Sequence, residues 1–210
     1  MQTVLVPTAI APVLEVLNNL GSMVFAASGA VLAAQKRRDL VTFIFFALST
    51  GVGGGTVRDL LIGVPVFWTR ENLTLGLCLA TALVIWATPM RFWQGRALSW
   101  CDAAGLAAFS TYGSAKALAF GIAPIPALLM GVFTACLGGI IRDMLAGEPS
   151  IIMRPELYVT AAALSSGLMV ALSLMGLPSF AAAGIATAAG LMLRGGAILW
   201  QWELPIYRRT

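Results

Sequence analysis

The chain contains no histidine, and charged residues make up only 10% of its 210 positions. The first absence removes the side chain whose ordinary pKa lies nearest neutrality, and with it imidazole proton relays and the commonest nitrogen ligand for metals. The second excludes an ordinary soluble domain, in which about a quarter of the residues carry charge. Cysteine is scarce too: Cys78, Cys101 and Cys136 lie within or at the ends of apolar stretches, without metal-ligand spacing, and read as small core residues. No phosphate-binding glycine loop and no nucleophile with a base beside it occurs, so no enzyme, cofactor or bound metal is expected. The net charge of +4 does not point to nucleic acid, because the basic residues flank apolar segments and form no stripe with interleaved aromatics.

What the chain has is apolar sequence, 59% of it. It falls into seven segments, near 13–34, 40–63, 73–88, 102–120, 127–146, 157–175 and 180–199, most of them close to the about 20 residues that cross a bilayer. The expected fold is all-α, a polytopic protein of seven transmembrane helices embedded in lipid. Basic residues gather at Lys36, Arg37 and Arg38, at Arg91 and Arg96, at Arg154, and in the tail at Arg208 and Arg209. Loops on the other side are nearly free of them. The positive-inside rule then places the amino terminus outside and the carboxyl terminus in the cytoplasm. The first ten residues lack a basic n-region and a small-residue cleavage site, so the first segment is expected to stay in place.

One pattern occurs twice. Gly-Gly-x-x-Arg-Asp-x-Leu-x-Gly-x-Pro runs from Gly54 to Pro65 and again from Gly138 to Pro149, an offset of 84 residues, the separation of Gly54 from Gly138. The same offset relates Asn18 to Asp102, Gly21 to Gly105, Phe25 to Phe109, Gly29 to Gly113 and Arg70 to Arg154. Each unit holds three spans, and an odd number of crossings forces opposite orientations. The expected organisation is therefore a 3+3 inverted repeat, 13–89 and 97–176, followed by a seventh helix at 179–200 and a tail at 201–210.

The motif combines glycines with charge. Gly53, Gly54 and Gly55, and Gly138 with Gly139, fall near mid-membrane at about 1.5 Å of rise per residue. They predict a kink, with unwound backbone whose carbonyls face a cation. Close approach of neighbouring helices is the other reading of such glycines. Arg58, Asp59, Arg142 and Asp143 cannot be exposed cheaply to lipid, so they either lock the repeats together as ion pairs or line a water-filled path. Lys116, deep in the fourth segment, is expected to face that path. Glu15, Asn18 and Asn19 share a helix face and, with Asp102, either wet the two ends of a cavity or cap helices at the interface. Arg194 is expected to snorkel to the headgroups.

These residues carry a resemblance. Phe25 to Ala30, Gly53 to Asp59 with Pro65 to Trp68, and Gly138 to Asp143 with Gly147 to Pro149 resemble the paired signatures of prokaryotic trimeric intracellular cation channel homologues, which have also been labelled putative glycine transporters. The resemblance implies a homotrimer in a bacterial or archaeal cell membrane, with one pore per subunit permeable to monovalent cations, chiefly potassium. It also implies second and fifth helices kinked at Gly53, Gly54, Gly55, Gly138 and Gly139. Leu137 departs from the pattern, standing where the first repeat has Gly53, which implies a tighter second kink. Together the two lines predict a path between the repeats lined by Ser49, Thr50, Thr56 and Thr134, with Lys116, Arg58 or Arg142 holding it closed or excluding divalent ions by repulsion. A carrier of glycine, its ammonium held by Asp59 or Asp143, and a non-transporting membrane scaffold are the alternatives.

Overall fold

The computed structural model describes residues 10–205; Arg208 and Arg209 of the expected basic tail lie outside the described residues. Within them the chain forms seven α-helices: α1 Ala11–Gln35, α2 Leu40–Ile62, α3 Leu73–Ala87, α4 Ala97–Ala119, α5 Pro124–Ala146, α6 Val159–Leu174 and α7 Ser179–Trp200. Local chemistry sets their ends. Proline stands in the first turn of α1 and α5, where its missing amide costs nothing. The Asp39 carboxylate caps α2 by accepting from Thr42 N at 2.9 Å. Gly63 and Gly147, an offset pair, end α2 and α5 in the left-handed region at φ 79° and 68°.

Helices α1, α2, α5 and α7 are long and apolar enough to cross a membrane. Helices α3 and α6, with 15 and 16 residues, reach only about 22–24 Å. They occupy matching places in the two repeats, and each follows a 3-10 turn, at Phe67–Thr69 and Ile151–Met153. Helix α4 begins at Ala97, ahead of the expected Asp102, so that Asp102 sits in its second turn rather than at its end. It is the central post, buried along most of its length against α1, α5, α6 and α7. Its hydroxyls stay satisfied by bonding back along the helix, Thr111 to the Ala107 carbonyl at 3.0 Å and Ser114 to that of Ser110 at 3.1 Å.

The repeats meet through two crossings, α1 on α4 and α2 on α5. At the first, Phe109 lies over Gly21 and Phe25 over Gly105, with the two rings 5.2 Å apart. At the second, a Cβ on Gly54 would strike the Thr134 carbonyl, and a Cβ on Gly138 would lie 3.1 Å from the Thr50 carbonyl. Each contact has its counterpart when both partners are moved by the offset. That is the self-complementary pattern of a two-fold interface, here within one chain. Helix α7 has no mate in the first repeat and packs on α4 and α6.

Both motif helices are continuous α-helix through the glycines. The unwound backbone expected at Gly53–Gly55 and Gly138–Gly139 is absent from this conformation, and so are the freed carbonyls. The physical reason is visible at the crossing: Gly54 and Gly138 remove side chains where two backbones touch, and unwinding is not needed for that. The Leu137 departure has a counterpart as well. Gly53 faces the Ile141 side chain, and the corresponding positions of the two copies are Leu137 and Val57.

Candidate functional site

The motif charges form two buried clusters, one at each end of the α2–α5 crossing. At the first, Arg58 Nε donates to Asp59 Oδ1 at 2.8 Å, and Lys116 Nζ of α4 reaches the same oxygen at 2.7 Å. The other carboxylate oxygen accepts from Phe67 N at 2.9 Å, tying down the loop into α3. The Arg58 guanidinium stacks 4.3 Å from the centre of the Tyr112 ring and 5.5 Å from that of Phe67. Arg58, Asp59 and Lys116 are all buried.

The second cluster repeats this plan. Arg142 Nε and Nη2 donate to Asp143 Oδ1 at 2.9 and 2.8 Å, and Asp143 Oδ2 accepts from Ile151 N at 2.9 Å. Phe67 and Ile151 are themselves an offset pair. Arg142 Nη1 donates to Ser28 Oγ on α1 at 3.2 Å, and Ser28 is the mate of Tyr112. The third partner is where the clusters diverge: Asp102 Oδ1 takes Arg142 Nη1 at 2.6 Å, whereas in the first cluster the addition is Lys116. Asp102 is thus neither a helix cap nor at an interface; it is 1% exposed and paired.

The hydroxyls of the expected path scatter. Thr50 is fully buried with its Oγ1 against Gly29 and no hydrogen-bond partner among the described residues. Thr134 bonds back to the Met130 carbonyl at 2.6 Å, and its Oγ1 abuts Gly113, the mate of Gly29. Thr56 bonds to the Val52 carbonyl and accepts from Trp68 Nε1, both at 2.8 Å. Ser49 is half-buried. Above the first cluster, Glu15, Asn18, Phe67, Arg70, Glu71 and Tyr112 line a cavity of about 380 Å³. Asn18 is buried there and donates to Thr74 Oγ1 at 3.3 Å, while Glu15 stands exposed at the rim.

Sequence reasoning assigned no role to Tyr112, Ser28 or Tyr158. Tyr112 and Lys116 share a face by their i, i+4 spacing, and Ser28 is the offset mate of Tyr112, so both carried a legible signal. Arg194 is a correction. It does not snorkel; it is 1% exposed, donates to Glu156 Oε2 at 2.6 Å and lies 5.3 Å from the Tyr158 ring centre. A partner carboxylate in the α5–α6 loop keeps it inside.

The family model described as "Glycine transporter" matches the chain twice, over residues 15–89 and 99–173. The chain belongs to this family. Relatives include a UPF0126 membrane protein of Vibrio cholerae, 36% identical over 94% of this chain and 84% of that protein. Another is the UPF0126 inner membrane protein YadS of Escherichia coli K12, also 36% identical, over 91% of this chain and 94% of the other. Among solved structures, the trimeric intracellular cation channel (TRIC) orthologue from Rhodobacter sphaeroides superposes with a TM-score of 0.83 at 39% identity, covering 90% of this chain and 99% of that one. A second structure, described under conductance through TRIC cation channels, gives 0.80 at 30% identity, covering 93% of this chain and 98% of that one. The family is therefore also that of the prokaryotic TRIC homologues, and this member is a multi-pass membrane protein.

Proposed function

We propose that this protein is a cation channel, chiefly for potassium, with one pore in each subunit running along the α2–α5 crossing between the repeats. The observation that carries the reading is the pair of buried charge clusters, Arg58–Asp59–Lys116 and Arg142–Asp143–Asp102, which bracket a glycine-lined crossing on a two-fold plan. Buried charge in a membrane interior marks an ion pathway or a lock upon one. The likeness to solved cation channels supports it.

In the conformation described here the path is shut at three levels. Lys116 and Arg58 present positive charge at one end, the backbones of Gly54 and Thr134 touch in the middle, and the Arg142 pairs span the other end. Opening requires the α2–α5 crossing to part and the charge pairs to exchange protein partners for water. Ser49, Thr50, Thr56 and Thr134 then supply oxygens toward a partly dehydrated cation. Gly53, Gly55 and Gly139 lower the barrier to bending either helix during that step. The Asp59 and Asp143 carboxylates keep the following loops attached while the helices move.

The cavity bearing Glu15 and Asn18 is the outer vestibule, with the amino terminus outside and the carboxyl terminus in the cytoplasm of a cell bounded by this inner membrane. The basic residues Lys36, Arg37, Arg38, Arg91 and Arg96 at the other end support that orientation. The assembly is a homotrimer, as the description of the solved orthologue suggests.

Recording from the purified protein in a planar bilayer tests the proposal: unitary potassium currents are expected. The family description supplies the competing outcome. Saturable glycine uptake into vesicles without unitary steps would replace the channel by a carrier.

A further inference from the structure

The loop 36–39 joins α1 to α2 and carries three successive basic residues, of which the protein itself engages one. Lys36 pairs with Glu148, and the Asp39 carboxylate turns to Thr42, whose N and Oγ1 donate to it at 2.9 and 3.1 Å. Arg37 and Arg38 form no ion pair among the described residues. Both line a cavity of about 430 Å³ between this loop and the one joining α3 to α4.

Arg37 occupies a backbone conformation that suits another residue. Its φ is 52°, in the left-handed region where a Cβ crowds the following carbonyl and only glycine escapes the strain. Its offset mate is Gly121, at φ 76°, and the mate of Arg38 is Ile122. The same turn therefore forms without charge in the second repeat, whereas the first accepts strain to place a guanidinium there. Orientation in the membrane does not require that choice, because Lys36, Arg38, Arg91 and Arg96 already mark this side.

The rest of the cavity is largely aromatic and held in shape. Phe43 of α2 and Trp86 of α3 meet edge to face with ring centres 4.9 Å apart. Trp93 Nε1 donates to Thr88 Oγ1 at 2.7 Å, and the Trp93 carbonyl accepts from Gln35 Nε2 at 3.2 Å, which fastens the α3–α4 loop to the end of α1. Two helices end and two begin around this place, so it lies at headgroup depth on one face of the bilayer. The same ends of α2 and α3 expose Val41 and Val84.

We propose that this cavity binds the headgroup of one anionic phospholipid, with its phosphodiester between the Arg37 and Arg38 guanidiniums and its acyl chains along α2 and α3. A guanidinium fork matches phosphate oxygens in pairs, and basic pockets between spans on the cytoplasmic side suit such headgroups. A free phosphate would meet the same arginines but gain nothing from Phe43, Trp86 and Trp93. The bound lipid joins the α1–α2 loop to the α3–α4 loop, an attachment for which Gly121 and Ile122 supply no arginine in the second repeat.

The test is the melting temperature of the detergent-purified protein titrated with dioleoylphosphatidylglycerol and, separately, with dioleoylphosphatidylcholine. A ligand of the folded state raises stability with its concentration. A saturable rise with phosphatidylglycerol and little with phosphatidylcholine is expected. Arg37→Gly relieves the strained backbone and should melt no lower than wild type in detergent alone, yet need about tenfold more phosphatidylglycerol for half of the rise, the worth of one hydrogen bond between charged groups. Arg37→Lys combined with Arg38→Lys keeps both charges and should also move half-saturation upward. Equal rises with the two lipids, or an Arg37→Gly protein that keeps the wild-type half-saturation, overturn the site. So does an unshifted double-lysine protein, which would reduce the effect to net charge. If inorganic phosphate at the same concentrations reproduces the rise, the ligand is a free phosphate and the lipid site is refuted.

Discussion

Replacing Gly54 by alanine should destabilise the described conformation, and replacing Gly138 should scarcely do so, although the two occupy equivalent places. At Gly54 the new methyl meets the Thr134 carbonyl, a backbone atom that cannot rotate aside, with Thr134 C and Gly138 N close behind. Overpacking of this kind costs about 1–3 kcal/mol, and an obstacle made of backbone belongs at the upper end of that range. Exchanging glycine for alanine inside a helix returns about 1 kcal/mol. The net is a loss of about 2 kcal/mol for Gly54→Ala. At Gly138 the methyl would lie 3.1 Å from the Thr50 carbonyl, and a shift of a few tenths of an ångström relieves it. A cost of about 1 kcal/mol there is cancelled by the same propensity gain. Gly76 of α3, where an added Cβ would meet nothing within 4 Å, is the control, and Gly76→Ala should be neutral or stabilising. Unfolding in detergent ranks the three. If the crossing is also what closes the path, about 2 kcal/mol shifts the ratio of open to closed molecules roughly 30-fold, visible as open probability in single-channel recordings. A Gly54→Ala protein as stable as wild type, or Gly138→Ala the worse of the two, would refute the packing argument.

Two further outcomes follow from the charges. Asp59→Asn leaves Arg58 and Lys116 buried together without a carboxylate and should cost about 3–5 kcal/mol, whereas Lys116→Met removes a cation from a cluster that has two and should cost less; thermal unfolding of the two proteins gives the order, and equal losses would contradict it. At the surface, the hydrogen bond from Lys36 holds the Glu148 carboxyl below its ordinary value of 4.5. A carboxyl depressed by folding stabilises above its unfolded pKa and loses that contribution as pH falls through the folded one. The stability difference between wild type and Glu148→Gln should therefore be constant above about pH 5 and shrink in more acidic solution. Melting curves across that range check it, and a difference that grows in acid would reverse the sign.

Much of the site was legible because a repeat read at a fixed offset predicts contacts as well as similarity. Phe25 with Gly105 and Phe109 with Gly21 are matched in the sequence and meet in the fold. Asp59 with Phe67 N and Asp143 with Ile151 N form another such pair of pairs. What the offset does not reveal is any partner that only one repeat possesses. Lys116 reaching Asp59, and Arg194 held by Glu156, join elements 57 and 38 residues apart through positions without a corresponding charge in the other copy. The glycines misled for a different reason. Helical periodicity says which face a residue occupies, while whether a bare Cα serves bending or contact depends on what stands opposite, and at Gly54 that is the Thr134 backbone.

The sequence by itself determined that the chain is all-helical and embedded in lipid, that it is built of two opposed copies and an added helix, and that Arg-Asp pairs lie deep within it. Those conclusions follow from composition, span length and odd-numbered repetition, which are properties of the chain read in order. Only the tertiary structure decided that the glycine helices run unbroken, that Asp102 and Lys116 give the two clusters opposite charge, and that Arg194 is buried. Pairing and burial depend on which side chains from distant helices arrive at the same place, and no local pattern encodes that.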